Sequence, residues 1–316
     1  MTDATTETAS ETTAGTSALY GAPPADVVDL APGATQFSPL MPGAAALEQQ
    51  AEGSLKALTM LAPPGTLERR YVIALALRAL AAGSPFTILA PNDRGGTRLR
   101  KELQAFGCVV EEHARRHHRI VTGTRPAHLT GLDDALANGA PRLLDDLGVW
   151  SQPGVFSWDR LDPGTEMLIE HLPPMRGRGA DFGCGTGILA HAVLASPKVV
   201  EITLVDIDRR AIECAQHNVA DPRARFLWGD VRSAEHSDLA DLDFVVMNAP
   251  FHDAGTEDKK LAQSFVQRAA QVLGKGGVCV MVANRHLPYE AILTPTFKRA
   301  ELLIETGGYK IYEAHK

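Results

Sequence analysis

Asp181-Phe-Gly-Cys-Gly-Thr-Gly187 decides how the second half of this 316-residue chain is read. An apolar run at about 178–182 leads into it, and Ile188-Leu-Ala-His-Ala-Val-Leu194 leaves it as a helical pattern, so the segment is a strand–turn–helix junction. Gly183 and Gly185 allow a tight turn and close approach of a ligand to the backbone. Gly187 allows close packing where the helix begins. The next apolar run ends in Leu204-Val-Asp-Ile-Asp208, which puts Asp206 where an acid accepts hydrogen bonds from both hydroxyls of a ribose. Together these residues describe a nucleotide-type cofactor site. The nicotinamide fingerprint G-x-G-x-x-G needs glycine at 188, and Ile188 stands there.

Working outward, strands are predicted at about 178–182, 201–206, 224–229, 242–248 and 277–283, with helical segments between them, an alternation that gives parallel strands joined by helices. The end differs. Ala300–Thr306 and Tyr309–Ala314, separated by Gly307-Gly308, predict a β-hairpin. A parallel sheet finished by an antiparallel hairpin resembles the α/β class I methyltransferase (Rossmann-like) fold. The acid followed by G-x-G-x-G resembles the cofactor loop of that class, which makes S-adenosylmethionine the expected cofactor. Asp181 then faces the amino-acid portion, Ile207 packs on adenine, and Asp230 with Val231 reaches the adenine amine. An ordinary loop cap is the competing reading of Asp230.

Phe244-Val-Val-Met-Asn248-Ala249-Pro250-Phe251-His252 carries the chemistry. An apolar strand ends in Asn and passes into a Pro-stiffened turn with an aromatic, at the carboxyl edge of the sheet where open α/β folds bind ligands. An exocyclic amine is a poor nucleophile because its lone pair is delocalised. The Asn248 side-chain oxygen is expected to accept one N–H, and a carbonyl near Ala249 or Pro250 the other. Fixed acceptors stabilise the positive charge that develops in transfer, and alignment supplies much of the remainder. Phe251 is expected to stack on a flipped base, Ala249 and His252 to border the substrate, and Asn248 to border the cofactor as well. A strand end with a generic Pro turn is the plain alternative, and for His252 an exposed loop histidine.

The first half is less explicit. Residues 1–45 are rich in Thr, Ala, Pro and Gly and are expected to be a disordered acidic tail. Residues 1–55 hold no Lys or Arg and seven acids, so the net charge of −7 belongs to this region and the rest is formally neutral. Without basic residues the N-terminus is neither a secretory nor a transit signal. No run approaches the 18 apolar residues of a membrane span. The four cysteines show no Cys-x-x-Cys pair, which fits a reduced cytoplasmic protein without a structural metal. Residues 46–150 are expected to form a smaller α/β domain, in which Phe86–Ala90 and the helix from Thr97 to Phe106 resemble a nucleotide-binding start without its glycine pattern. Arg115-Arg-His-His-Arg119, with Arg94, Arg98, Arg100 and Lys101, suits RNA phosphates or a solvated polar face equally.

The chain resembles the ribosomal-RNA guanine-N2 methyltransferases of the small-subunit type C (RsmC-like) family, over roughly 150–316. The resemblance is carried by Gly154-Val-Phe-Ser157 with Leu161-Asp162, by the glycine loop, by Asn248-Ala-Pro-Phe-His-Asp253 and by Val282-Ala-Asn-Arg-His-Leu-Pro-Tyr289. It implies a catalytic domain over 151–316 preceded by a degenerate methyltransferase-like domain over 46–150. It also implies that Phe156 and Ser157 line the methionine end of the cofactor, and that Asn248 to Phe251 hold the guanine amine. Ribosomal RNA or the small subunit is the implied partner, and the chain is expected to be a monomer. The family has Pro-Pro after the Asn, where this chain has Ala249-Pro250. The same chemistry suits adenine N6, cytosine N4 or a protein glutamine amide, and a non-catalytic cofactor-binding RNA assembly factor is the alternative of another class.

Overall fold

The computed structural model describes residues 16–233, 239–248, 252–253, 256–257 and 259–316. The chain divides into two compact units, one of residues up to 38 with 44–138, the other of 39–43 with 139–316.

The first unit contains strands β1 (Thr16–Tyr20), β2 (Thr35–Phe37), β3 (Leu55–Leu61), β4 (Pro85–Pro91), β5 (Val110–Arg115) and β6 (His118–Thr124). Helices α1 (Thr66–Ala79), α2 (Leu99–Ala105) and α3 (Leu132–Gly139) accompany them. The sheet order is β2-β1-β3-β4-β6-β5, with β6 antiparallel to both of its neighbours. Residues 16–45 are therefore not a tail, which corrects the reading of 1–45 as disordered. Ala18, Tyr20 and Phe37 bury their side chains in the sheet, and a few such positions in a Thr/Gly/Pro-rich segment leave no periodicity to detect. Residues 1–15 lie outside the described residues.

A buried ion pair ties α1 to α2. Arg69, fully buried, donates from Nε and Nη2 to the two Glu102 carboxylate oxygens at 2.8 and 2.7 Å. The same guanidinium donates to the carbonyl of Pro64 at 2.7 Å.

The second unit opens with the hairpin β7 (Arg142–Leu144) and β8 (Val149–Ser151), then α4 (Pro163–Glu170), β9 (Gly177–Phe182), α5 (Ile188–Leu194), β10 (Val199–Asp206), α6 (Arg209–Asn218) and β11 (Ala224–Trp228). There follow β12 (Leu242–Asn248), the short pair β13 (His252–Asp253) and β14 (Thr256–Glu257), α7 (Lys259–Val272), β15 (Leu273–Asn284), α8 (Glu290–Thr296), β16 (Arg299–Thr306) and β17 (Tyr309–His315). The large sheet runs β11-β10-β9-β12-β15-β17-β16. Its first five strands are parallel and the last two form the Gly307-Gly308 hairpin, as the sequence predicts. Parallel strands are covered on both faces, which is why β12 reads as a continuous apolar run. One face packs Phe182, Val205, Val245 and Met247, the other Leu204, Val246, Val280 and Ile311.

Both sheets are wound alike. In each, the first strand lies inside the sheet, the next strand or two add to one side, later ones to the other, and a closing hairpin inserts its second strand. The first unit lacks the outermost parallel strand, so it is the same fold reduced. The resemblance of Phe86–Ala90 to a nucleotide-binding start needs correction. That strand is β4, the counterpart of β15, and the counterpart of β9 is β1. Among the described residues no helix is long and apolar enough to cross a membrane, and no group of acids, histidines and cysteines is placed to hold a metal.

Candidate active site

Strand register builds the site. Asp181 is the Cα partner of Leu204 on β10 and of Val246 on β12. Asp206 and Asn248 each lie two residues further along, and side chains alternate with a period of two. Asp181, Asp206 and Asn248 thus emerge on one face of three adjacent strands, at the carboxyl edge and where the strand order reverses.

In the glycine loop the amides of Gly183 and Cys184 donate to the Val205 carbonyl at 2.8 and 3.1 Å, and that of Gly185 to Asp206 Oδ2 at 2.9 Å. At Gly185 (φ +53°) an added Cβ would meet nothing within 4 Å. At Gly187 (φ +83°) it would lie 2.9 Å from Val219 Cγ2 and 3.1 Å from Ala215 Cβ. Gly187 therefore serves the packing of α5 on α6 and does not line the cleft.

An open cleft lies at this carboxyl edge. Asp181, Gly183 to Thr186, Ile188, Leu189 and Asn248 form one side. Phe156, Ser157, Arg160, Leu161, Asp162 and Thr165 form the other. Phe156 is 65% exposed and Ser157 holds a left-handed φ of +51°, a conformation that recurs at functional sites.

Asp181 is 1% exposed, and its Oδ2 is buried without a hydrogen-bond partner. Burial, then the Asp206 charge, pushes its carboxyl up to about 8, while the Ala190 amide pulls the other way. An unpartnered buried carboxylate oxygen beside a cleft suits a cationic donor, and the α-ammonium of an amino-acid ligand fits it. Asp206 is pushed up to about 6, chiefly by burial, against backbone donors at Asp208 and Gly185. Oδ1 accepts from the Asp208 amide and Oδ2 from the Gly185 amide, each at 2.9 Å.

Asn248 is tied down. Its Nδ2 donates to Asp162 Oδ1 at 2.7 Å and to Thr165 Oγ1 at 2.9 Å. Asp162 is the N-cap of α4, followed by Pro163, and accepts from the Thr165 amide at 2.9 Å. An Asp-Pro-Gly-Thr sequence is a helix-start signature, so nothing in it announces a second task.

The other expected site residues are placed as follows. Asp230 accepts from Arg232 Nη2 and from the Arg232 backbone amide at 2.7 and 2.9 Å, the geometry of a loop cap. The Val231 side chain, 2% exposed, packs in the core beside Val205 and Leu239, so it is not the side chain that meets adenine. Ile207, just beyond the end of β10, is exposed, with its carbonyl accepting from Trp228 Nε1 at 2.9 Å. Ala249, Pro250 and Phe251 lie outside the described residues, and His252 is placed by its backbone in β13. Leu287 and Tyr289 of the late motif are core residues that seat α8. In the first unit Arg116 pairs with Asp26, Arg119 with Glu112 at 3.2 Å, and Arg115 donates to the Val27 carbonyl at 3.2 Å, so these arginines have local partners.

Residues 146–313 match the methyltransferase small domain family. Ribosomal RNA small subunit methyltransferase C of Cronobacter sakazakii is 39% identical over 80% of this chain and 73% of its own. The protein of that name from Erwinia tasmaniensis is 34% identical over 80% and 74%. This chain belongs to the small-subunit methyltransferase C family. Among solved structures, the T. thermophilus 16S rRNA N2 G1207 methyltransferase (RsmC) in complex with AdoMet and guanosine aligns with a TM-score of 0.70 and 27% identity, over 86% of this chain and 76% of that one. The alignments exceed the catalytic unit, so the small-subunit methyltransferase C likeness includes the reduced first sheet.

Proposed function

We propose that this small-subunit methyltransferase C family member transfers a methyl group from S-adenosylmethionine to the N2 amine of a guanine in ribosomal RNA. The observation that carries the reading is the Asn248 amide, fixed at the mouth of the cleft on the same sheet face as Asp181, whose Oδ2 has no partner.

S-adenosylmethionine, when bound, supplies a methyl group on an electrophilic sulfonium. Asp181 holds the α-ammonium end, Asp206 offers oxygens to the ribose hydroxyls, and Phe156 and Ser157 border the methionine side. Asn248 Oδ1 accepts an N–H of the substrate amine and stabilises the charge that builds on that nitrogen as it attacks. No strong base is required, because the amine proton becomes acidic only as the new bond forms. The second acceptor and the stacking ring fall on Ala249, Pro250 and Phe251, outside the described residues. The T. thermophilus relative, described with guanosine, favours guanine over the other amines. The proposal extends to a monomer acting in the cytoplasm, where that RNA is found.

The test is transfer of labelled methyl to ribosomal RNA, free and in small subunits, followed by nucleoside analysis. N2-methylguanosine supports the reading. Label on adenine N6 or cytosine N4 moves it to another base, and an unlabelled RNA overturns it.

A further inference from the structure

We infer that Asp162 and Thr165 are positioning residues that fix which end of the Asn248 amide meets the substrate amine. The inference rests on the reading of Asn248 given above and adds what makes that residue an acceptor.

An asparagine side chain has a donor end and an acceptor end of nearly the same shape. Only the acceptor end assists an attacking NH2, since the donor end would confront the amine's own protons. The hydrogen bonds around Asn248 run in one direction. Nδ2 donates to Asp162 Oδ1 at 2.7 Å, and a carboxylate can only accept. Nδ2 also donates to Thr165 Oγ1 at 2.9 Å, and that hydroxyl in turn donates a hydrogen bond to Asp162 Oδ1 at 3.3 Å. The Thr165 amide donates to the same oxygen at 2.9 Å. Turning the amide over would set two acceptor oxygens 2.7 Å apart with no proton between them. The planar amide therefore keeps Oδ1 turned away from Asp162 and Thr165, before any substrate arrives. An acceptor oriented in advance requires no reorganisation during transfer.

The carboxylate that does this is itself held. Asp162 caps α4, and Pro163 fixes the first helical position. Gly164 brings that turn against β17, where an added Cβ would lie 2.9 Å from the ring of Tyr309. A hydrogen-bond chain thus connects the helix start to the end of β12, across 86 positions of sequence.

The experiment measures methyl transfer to ribosomal RNA by the full chain, with cofactor affinity by calorimetry and Tm for each variant. Asp162→Ser keeps a cap, but its shorter side chain cannot hold the Thr165 amide and reach Asn248 as well, so the amide loses its fixed direction. The expected result is a kcat lower by about 10–100-fold, short of the roughly 100–1000-fold lost with a whole transition-state partner, at unchanged cofactor Kd. Asp162→Asn is the conservative rescue, because its Oδ1 still accepts from both the Thr165 amide and Asn248 Nδ2, and it is expected to recover most of the rate. Wild-type kcat in Asp162→Ser, or an Asp162→Asn no faster than Asp162→Ser, overturns the inference. Should Asp162→Ser unfold, Thr165→Val against Thr165→Ser decides. Loss in the first with recovery in the second supports it, and equal rates overturn it. Asn248→Ala separates the two claims. A wild-type rate there removes the acceptor reading itself, whereas a dead Asn248→Ala beside an active Asp162→Ser removes only the positioning.

Discussion

The Asp162 carboxylate and the Asn248 amide nitrogen meet at 2.7 Å, one capping a helix and the other ending a strand. The contact joins the wall of the cleft contributed by the 156–165 segment to the wall contributed by the sheet. The mouth of the site is consequently a bonded structure rather than two independent loops.

Asn248→Ala is expected to lower kcat by about 100–1000-fold, the range for loss of a fixed transition-state partner. Cofactor affinity should stay within a few-fold, because Asp181, Asp206 and the glycine loop are untouched. Single-turnover transfer together with calorimetric cofactor binding checks both halves.

Asp181→Asn should weaken cofactor binding by about 10–100-fold through loss of a charge-assisted hydrogen bond. It should also change the pH dependence of stability in the ligand-free protein. Burial raises this carboxyl to about 8, against about 3.9 in the unfolded chain. Between those values the folded state binds more protons, so stability falls as pH rises through the window. The variant lacks that loss. Its Tm advantage over wild type is expected to be absent near pH 4 and largest at pH 8 and above. Cofactor binding at pH 7 should release protons from the wild type and fewer from the variant, a difference seen by calorimetry in two buffers.

Two glycines of one loop should fail differently. Gly187→Ala forces a side chain into left-handed backbone and against Val219 and Ala215. Strain and overpacking together should cost roughly 2 kcal/mol or more, lowering Tm by about 4 °C or more. Gly185→Ala meets open space, so Tm should fall less while the added methyl intrudes on the cleft and weakens cofactor binding. Thermal melts with and without cofactor distinguish them.

Glu102→Ala leaves the fully buried Arg69 guanidinium without its carboxylate. Breaking a buried pair in this way costs about 3–5 kcal/mol. The first unit should unfold at lower denaturant, followed by Trp-independent far-UV signal and by proteolysis within 44–138. Replacing both partners by apolar residues should recover much of the loss.

The legibility of this chain depended on how local each signal was. The glycine loop, the five parallel strands and the Gly-Gly hairpin are written in consecutive residues, and their boundaries fall within a few positions of the structure. β1 and β2 were not legible, because their burial comes from neighbouring strands and not from any periodicity of their own. Asp230 carried two readings in sequence, and Arg232 two residues on was the only local sign of the ion pair that the structure shows there. Asp162 and Thr165 looked like a helix start and nothing more.

By itself the sequence determined the sheet, the cofactor turn and the residue types at the end of β12, since backbone conformation and apolar pattern are short-range properties. Tertiary structure alone decided that Asp181 keeps a buried oxygen without a partner, that Asp206 braces Gly185, and that Asn248 is held by a carboxylate from another element. Those outcomes depend on which groups long-range packing brings within about 3 Å, the reach of a hydrogen bond, and no spacing along the chain encodes that distance.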